Sequence, residues 1–442
     1  MNKVLKSLLA TGVALSCIGC GIDKPVDDTK EVVENVENIK EDTVENTEIK
    51  EDTVENTEVK EMSEVKNMTM YNRAAAIADE IYNRNKTNIM FSPTSLNLAL
   101  GMVEEASEGN TGRQLNDFLV EEDFSNRAPE LMKMADDATI DLTGSSYNSF
   151  KTMLQISNSL WLSDKYTIKE DYKNRITEVY RADIEEVSFE QDNLTDTVDR
   201  INNWCNEKTY EMIPEIITVA NVKPETASVL VNTVYFESPW VAEWDATSDI
   251  DTFTGLDGEE YNTEFIKSYD AGVFYKTNAF KAFGSRYKNG LWFIGILPNE
   301  EGEFNLSDID FEELVTNPQE QYDEVIATMP KLNFDTSVDN LVDIMKNNGV
   351  TDVFDPEKSA VTGMVEKEAL HIDTIIQKTK IELDENGTKA AAATAIGMVG
   401  NCATIYDTPK VVEITLDRPF AFAIYDAELN EVVFLGKVVD FK

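Results

Sequence analysis

Apolar residues recur at helical spacing through Tyr71, Ala74, Ala75, Ile77, Ala78 and Ile81. One face of this stretch is therefore apolar, which predicts an amphipathic helix. A second helical pattern follows Ser92-Pro93, where Leu96, Leu98, Ala99, Leu100, Met102 and Val103 cluster. Ser92 suits an N-cap, and Pro93 suits a first turn, where an amide is not needed. Further along, the pattern turns to β-rich apolar runs at 228–236, 291–297, 411–416, 420–425 and 431–439. Residues 341–348 interrupt these runs as a helical stretch. Helices thus concentrate early and strands late. That order predicts an α+β fold, with helices packed around large mixed or antiparallel β-sheets, not a doubly wound one.

The first 66 residues follow neither period. Lys3 and Lys6 precede an apolar run over 8–18, a signal-peptide pattern too short to span a membrane as a helix. The run ends Cys17-Ile18-Gly19-Cys20, which resembles a bacterial lipoprotein cleavage box with Cys20 as the lipid acceptor. Ordinary secretion, with Cys20 merely nearby, is the alternative. Residues 22–66 carry 16 Asp or Glu and 6 Lys. Within them 39–48 reads IKEDTVENTE, and 49–58 repeats it letter for letter. Ile and Val recur every five residues, matching neither helix nor strand, so a self-repelling, disordered tether is predicted. The expected organisation is a signal peptide at 1–20, an acidic linker at 21–66 and a folded domain at 67–442.

Composition removes several function classes. The net charge of −44 disfavours nucleic acid and anionic lipid headgroups as partners. A single histidine, His371, rules out a clustered-histidine zinc site and leaves any Ser-His-Asp or Cys-His machine dependent on that one residue. No glycine-rich phosphate loop and no convincing metal-ligand spacing is present, so no cofactor is expected. Of the four cysteines, Cys17 and Cys20 lie in the targeting segment, and Cys205 and Cys402 alone make no disulfide framework. Cys205, beside Trp204, reads as a small buried apolar residue.

One stretch near the carboxy end is unusual. Residues 385–394 read ENGTKAAAAT. Taken alone, 389–396 would pass for a short helix, because alanine is the strongest helix former. Yet Asn386-Gly387 is a turn signal directly after the strand-like run 375–383. Small side chains meet little steric resistance between two strands, and their weak strand propensity leaves nothing to force them there beforehand. The segment is a candidate bistable element, an exposed loop in one state and an inserted strand in the other.

The stretch resembles the hinge of the inhibitory serpins: Glu, a variable residue, Gly, Thr, another residue, a run of small residues, then Thr. Glu385, Gly387, Thr388, Ala390, Ala391, Ala392, Ala393 and Thr394 match it. Lys389 departs from it, since the family usually has Glu there. Further blocks resemble the family in order along 67–442. They are 88–96 (NIMFSPTSL), 158–161 (NSLW), 201–204 (INNW), 230–236 (LVNTVYF) with Trp240, 330–332 (PKL), Gly349 with Phe354, 418–420 (RPF) and 434–438 (FLGKV). Each block is weak alone; the ordered set together with the hinge is specific.

The resemblance implies the serpin fold with an exposed reactive-centre loop, and a monomeric, metastable suicide inhibitor of serine or cysteine proteases rather than an enzyme. It places the cleaved bond at Asn401–Cys402, counting from Glu385, with Gly400, Cys402 and Ala403 as alternative positions. It also pairs Lys331 with Glu385 as a tether of the hinge. Arg and Lys are absent from 390–409, which points to subtilisin-like or elastase-like targets rather than trypsin-like ones. Cys402 has two readings, a redox handle on the loop or a small side chain accepted by the protease. His371 reads as a structural histidine. The expected location is extracellular, with the membrane touched only through the lipid anchor. Two other classes compete. A non-inhibitory serpin-fold binding protein would carry bulky, charged or proline residues in the hinge. A secreted hydrolase would need a Gly-x-Ser-x-Gly elbow, which is missing.

Overall fold

The computed structural model describes residues 69–119, 124–144, 149–316, 322–338, 341–388 and 410–442. The expectations for 1–20 and 21–66 fall outside them. In chain order the early part holds α1 (Met70–Asn85), β1 (Ile89–Phe91), α2 (Pro93–Glu104), α3 (Gly109–Leu119), α4 (Phe124–Asp137) and β2 (Ile140–Asp141). It continues with β3 (Lys151–Ser163), α5 (Glu170–Tyr180), β4 (Asp183–Val187) and α6 (Leu194–Lys208). Strands then dominate: β5 (Ser228–Pro239), β6 (Asp245–Thr247), β7 (Thr252–Thr254), β8 (Glu260–Asn262), β9 (Phe265–Ser268), β10 (Val273–Lys276), β11 (Phe280–Arg286) and β12 (Trp292–Pro298). After α7 (Phe311–Thr316) come β13 (Glu324–Pro330), β14 (Leu332–Val338), α8 (Leu341–Asn347), β15 (Thr374–Asp384), β16 (Gly387–Thr388), β17 (Val411–Thr415), β18 (Phe420–Asp426) and β19 (Glu431–Val438). The fold is α+β, with the helices early and the strands late.

Local chemistry explains where the first helices begin. The Asn72 amide donates to the Thr69 side chain at 3.2 Å and caps α1. The Ser95 amide donates to Ser92 Oγ at 3.3 Å, with Pro93 in the first turn of α2. Leu96, Leu98, Leu100 and Val103 of α2 are all buried, because this helix packs between β5 and β19. A helix enclosed from two sides has no use for a polar face.

The strands form three main sheets. One runs β14-β15-β16-β5-β3-β2, with β4 alongside β3. A second runs β1-β19-β18-β12-β11-β10, and a third runs β17-β13-β9-β6. The first sheet is covered on both faces along β5. Leu230, Val234 and Phe236 join the main core that contains α2, whereas Val229, Val231 and Tyr235 join a second cluster with Ile201 and Cys205 of α6. Burial on both faces explains why 228–236 reads as one continuous apolar run instead of an alternating one. Cys205 is fully buried, and burial pushes its thiol up to about 12, so it is inert packing. Among the described residues, no helix is long and apolar enough to cross a membrane. Nor does any group of three or more His, Cys, Asp or Glu among them suit a metal ion.

Candidate functional site

The two central strands of the first sheet, β5 and β15, run parallel. They pair directly over four positions, from Thr374 with Val229 to Gln377 with Asn232. Beyond Gln377 and Asn232 no direct pair is made. At the far end a third strand lies between them: Thr388 faces Leu383 on one side and Ser238 on the other, and Gly387 faces Asp384 and Pro239. The alignment of β15 with β5 is the same at both ends. The separation therefore grows from one strand spacing, about 4.8 Å, to two over the length of Lys378–Glu382. The strands form a wedge, closed at Thr374 and open at Asp384, with β16 seated only in its mouth.

Specific side chains shape that mouth. Gly387 has φ +138°, and a Cβ there would lie 2.2 Å from the Ser238 carbonyl oxygen and 2.7 Å from Pro239 Cα. Only glycine enters the sheet at this point. Thr388 is buried, and its Oγ1 lies 2.6 Å from the Tyr287 hydroxyl. Tyr287 in turn stacks on Trp240 at 4.3 Å between ring centroids. Trp240 Nε1 donates to the Asp384 carbonyl at 3.0 Å and its amide donates to the Asn386 carbonyl at 3.3 Å, so this ring closes over the turn. Lys331 Nζ lies 2.8 Å from Glu385 Oε2 and 2.9 Å from Glu264 Oε2. The hydrogen bond to Glu385 is the main reason the Lys331 amine is held above its ordinary range, and the same bond holds the Glu385 carboxyl below its own. Both groups are partly exposed, so the pair contributes about 1 kcal/mol or less and acts mainly by placing the turn.

At the point where the wedge closes, Gln377 reaches across to α2. Its Nε2 donates to the Ser92 carbonyl at 2.9 Å and to Ser95 Oγ at 3.2 Å, and its Oε1 accepts from the Ser92 amide at 2.9 Å. Asn232, beside it, donates from Nδ2 to Asn158 Oδ1, while its own Oδ1 is buried without a hydrogen-bond partner. A buried glutamine with every partner satisfied fixes this joint between helix and sheet.

A long parallel pair left half open at the centre of a sheet, with a glycine-led turn in its mouth, is the arrangement the hinge pattern requires. The family model for serpins, serine protease inhibitors, matches residues 69–441. The chain belongs to the serpin family. A serpin-like protein of Methanosarcina mazei is 26% identical over 99% of this chain and 98% of its own length. Human Serpin B12 is 27% identical over 79% of this chain and 93% of its own. Among solved structures, the thermophilic serpin tengpin in its native state aligns with a TM-score of 0.69 and 27% identity, over 85% of this chain and 96% of that one. Arabidopsis AtSerpin1, in its native stressed conformation, shares the fold with a TM-score of 0.71 at 22% identity, over 86% of this chain and 98% of that one. Serpins are in general inhibitors that act on target proteases, and not catalysts.

The structure places Glu385, Gly387, Thr388 and Lys331 together at the mouth of the serpin wedge. Ala390, Ala391, Ala392, Ala393, Thr394, Asn401 and Cys402 fall outside the described residues, as does Cys20. His371 is half-buried just before the closed end of β15, with Nε2 3.1 Å from Asp373 Oδ1. Sequence reading missed Gln377, Tyr287 and the ring of Trp240 as site residues. Along the chain Gln377 is one of several polar residues in the strand-like run 375–383, so nothing local singles it out. Replacing Gly387 with alanine is expected to lower native stability by ~2 kcal/mol or more, read as a lower urea midpoint at unchanged slope. An unchanged midpoint would mean the hinge does not sit in the sheet.

Proposed function

We propose that this serpin is a suicide inhibitor of serine proteases, and of some cysteine proteases, that traps the acyl-enzyme by inserting its cleaved loop into the wedge between β5 and β15. The observation that supports this most is the unchanged alignment of the two strands at both ends of the wedge. A strand that continues β16 needs no re-registration of its neighbours. It finds unpaired backbone on both sides along Lys378–Glu382 before any existing pair must break.

The sequence of events is as follows. The protease nucleophile attacks the carbonyl carbon of Asn401. The bond to Cys402 breaks, the Cys402 amine leaves with a proton from the protease, and an ester or thioester joins Asn401 to the enzyme. The freed loop then extends β16. Carried onward in the register of Thr388, Ala390 arrives between Phe236 and Ile381, and Ala392 between Val234 and Thr379. Thr394 arrives between Asn232 and Gln377, beside the unpartnered Asn232 Oδ1. Phe236, Val234 and Ile381 are buried in the main core, so only small side chains fit the first two places. The protease, still attached to Asn401, is carried along and distorted before water can hydrolyse the link. The small uncharged residues around 401 favour subtilisin-like or elastase-like targets. The export pattern and the acidic repeats support an extracellular position, with Cys20 lipidated and 21–66 as a tether.

The test is direct. The purified protein is mixed with subtilisin, denatured and weighed by intact mass spectrometry. A species equal to protease plus inhibitor, less a peptide beginning at Cys402, is expected. Complete cleavage without any adduct, across subtilisin-like, elastase-like and papain-like enzymes, would overturn the inhibitory reading and leave a serpin-fold binding protein.

A further inference from the structure

The wedge has a closed end, and something specific holds it. The two strands meet directly at Thr374 and Val229. Immediately before that point, Asp373 reaches from the start of β15 across to the start of β5. Its Oδ2 accepts from the Ala227 amide at 2.7 Å and from the Ser228 amide at 3.4 Å. Both residues are buried, so the two amides have no water to turn to. A carboxylate is the strongest acceptor the chain can offer them. The other carboxylate oxygen lies 3.1 Å from His371 Nε2, and Ser228 Oγ donates to the His371 carbonyl at 3.4 Å. His371 and Asp373 thus form a short cross-link from β15 to the first residues of β5.

We infer that Asp373 is a latch on the closed end of the wedge: it holds β15 to β5 in the native protein and must be displaced for a strand to fill the sheet completely. The register gives the position. A strand that continues β16 brings its ninth residue after Thr388 between Thr374 and Val229. Its tenth arrives between Asp373 and Ser228, where the latch is made. Partial filling of the wedge leaves the latch intact; complete filling cannot. Asp373 is a positioning residue, which touches neither the protease nor the cleaved bond. The inference rests on the insertion mechanism proposed above.

Two consequences separate a latch from ordinary structural support. A latch matters only while it is closed. Asp373→Ala is therefore expected to speed the loss of inhibitory activity on warming about ten-fold in the uncleaved protein, which is about 1.4 kcal/mol in the opening barrier. The same substitution is expected to leave the denaturant midpoint of the cleaved protein unchanged. Asp373→Asn keeps a carbonyl acceptor for the Ala227 amide and is expected to recover most of the native half-life. Should the alanine variant fail to fold, the asparagine variant carries the comparison. The second consequence uses the single imidazole of the chain. With histidine labelled with carbon-13, its Cε1–H resonance is expected to move on cleavage of the loop by subtilisin, because its Asp373 partner is pulled away.

Equal destabilisation of native and cleaved forms by Asp373→Ala would reduce Asp373 to a structural residue and overturn the latch. So would a gain in heat stability on cleavage with an unmoved His371 resonance. That result would leave insertion standing but stop it short of the closed end. No gain in stability on cleavage would remove both the insertion mechanism and the latch.

Discussion

Ala392→Glu is expected to turn this serpin from an inhibitor into a substrate. The position follows from Thr388, which lies between Leu383 and Ser238. Four residues further in the same register, residue 392 falls between Thr379 and Val234, on the face that looks into the core. Val234 is buried there, and Thr379 is already committed, its Oγ1 donating to the Met90 carbonyl at 2.7 Å. A glutamate would bring a carboxylate into that layer with no donor to receive it, a cost of several kcal/mol. Every 1.4 kcal/mol added to the insertion barrier slows it about ten-fold, while hydrolysis of the acyl-enzyme keeps its own rate. The number of inhibitor molecules consumed per protease inactivated is therefore expected to rise from near one to more than ten. The fitting control is Lys389→Glu. In an inserted strand that keeps the register of Thr388, residue 389 would arrive beside Glu237 and Glu382, on the opposite, partly exposed face. Lysine suits two carboxylates there, and reversing its charge costs about 1 kcal/mol or less. An Ala392→Glu variant that still inhibits at a one-to-one ratio would sink the insertion register.

Cleavage of the loop in the absence of trapped protease is expected to raise the unfolding temperature sharply. The native sheet leaves backbone along both edges of the wedge without strand partners, and an inserted strand supplies them. With about ten residues inserted, and a net gain of roughly 1 kcal/mol per new hydrogen bond, the change is ~10 kcal/mol or more. For a domain of this size that corresponds to a shift of ~10 °C or more. On the proposed mechanism the uncleaved protein would persist because filling the wedge is slow while both ends of the loop are held, so its lifetime would be set by a barrier and not by equilibrium. Differential scanning calorimetry before and after limited proteolysis within 395–405 measures it directly. Equal midpoints would mean the cut loop stays outside the sheet.

Much of this was legible along the chain, and the exceptions have a common cause. Ser92 and Pro93 announce α2 because capping is a local matter of a few residues. The apolar runs announce β5, β12, β18 and β19 because burial leaves these strands mostly apolar, with few polar residues such as Asn232 and Lys437 among them. Asn386-Gly387 announces a turn, and the structure adds why the glycine is needed: its neighbour is the backbone of Ser238, far away in sequence. The wedge itself has no local signature. It depends on the alignment of β15 with β5, and no run of residues in either strand states which partner it meets. Gln377 and Asp373 were missed for the same reason, since each is defined by what it reaches, Ser92 in one case and Ala227 in the other. The Lys331 and Glu385 contact was reached only through family resemblance, since Glu264, the third member, lies on yet another segment.

The four direct pairs between β15 and β5 divide insertion into two unlike halves. On the proposed mechanism, every step over the open length would add contacts and break no pair between the two strands. At Gln377 and Asn232 the terms reverse, and each further residue must first undo a pair that already exists. The pause would fall while the protease is still linked through a bond that water attacks. An enzyme that deacylates slowly would be carried past the pause, and one that deacylates quickly would escape during it. On the proposed mechanism the residues at 374–377 and 229–232, remote from the cleaved bond, would thus work as a clock that helps decide which proteases are caught.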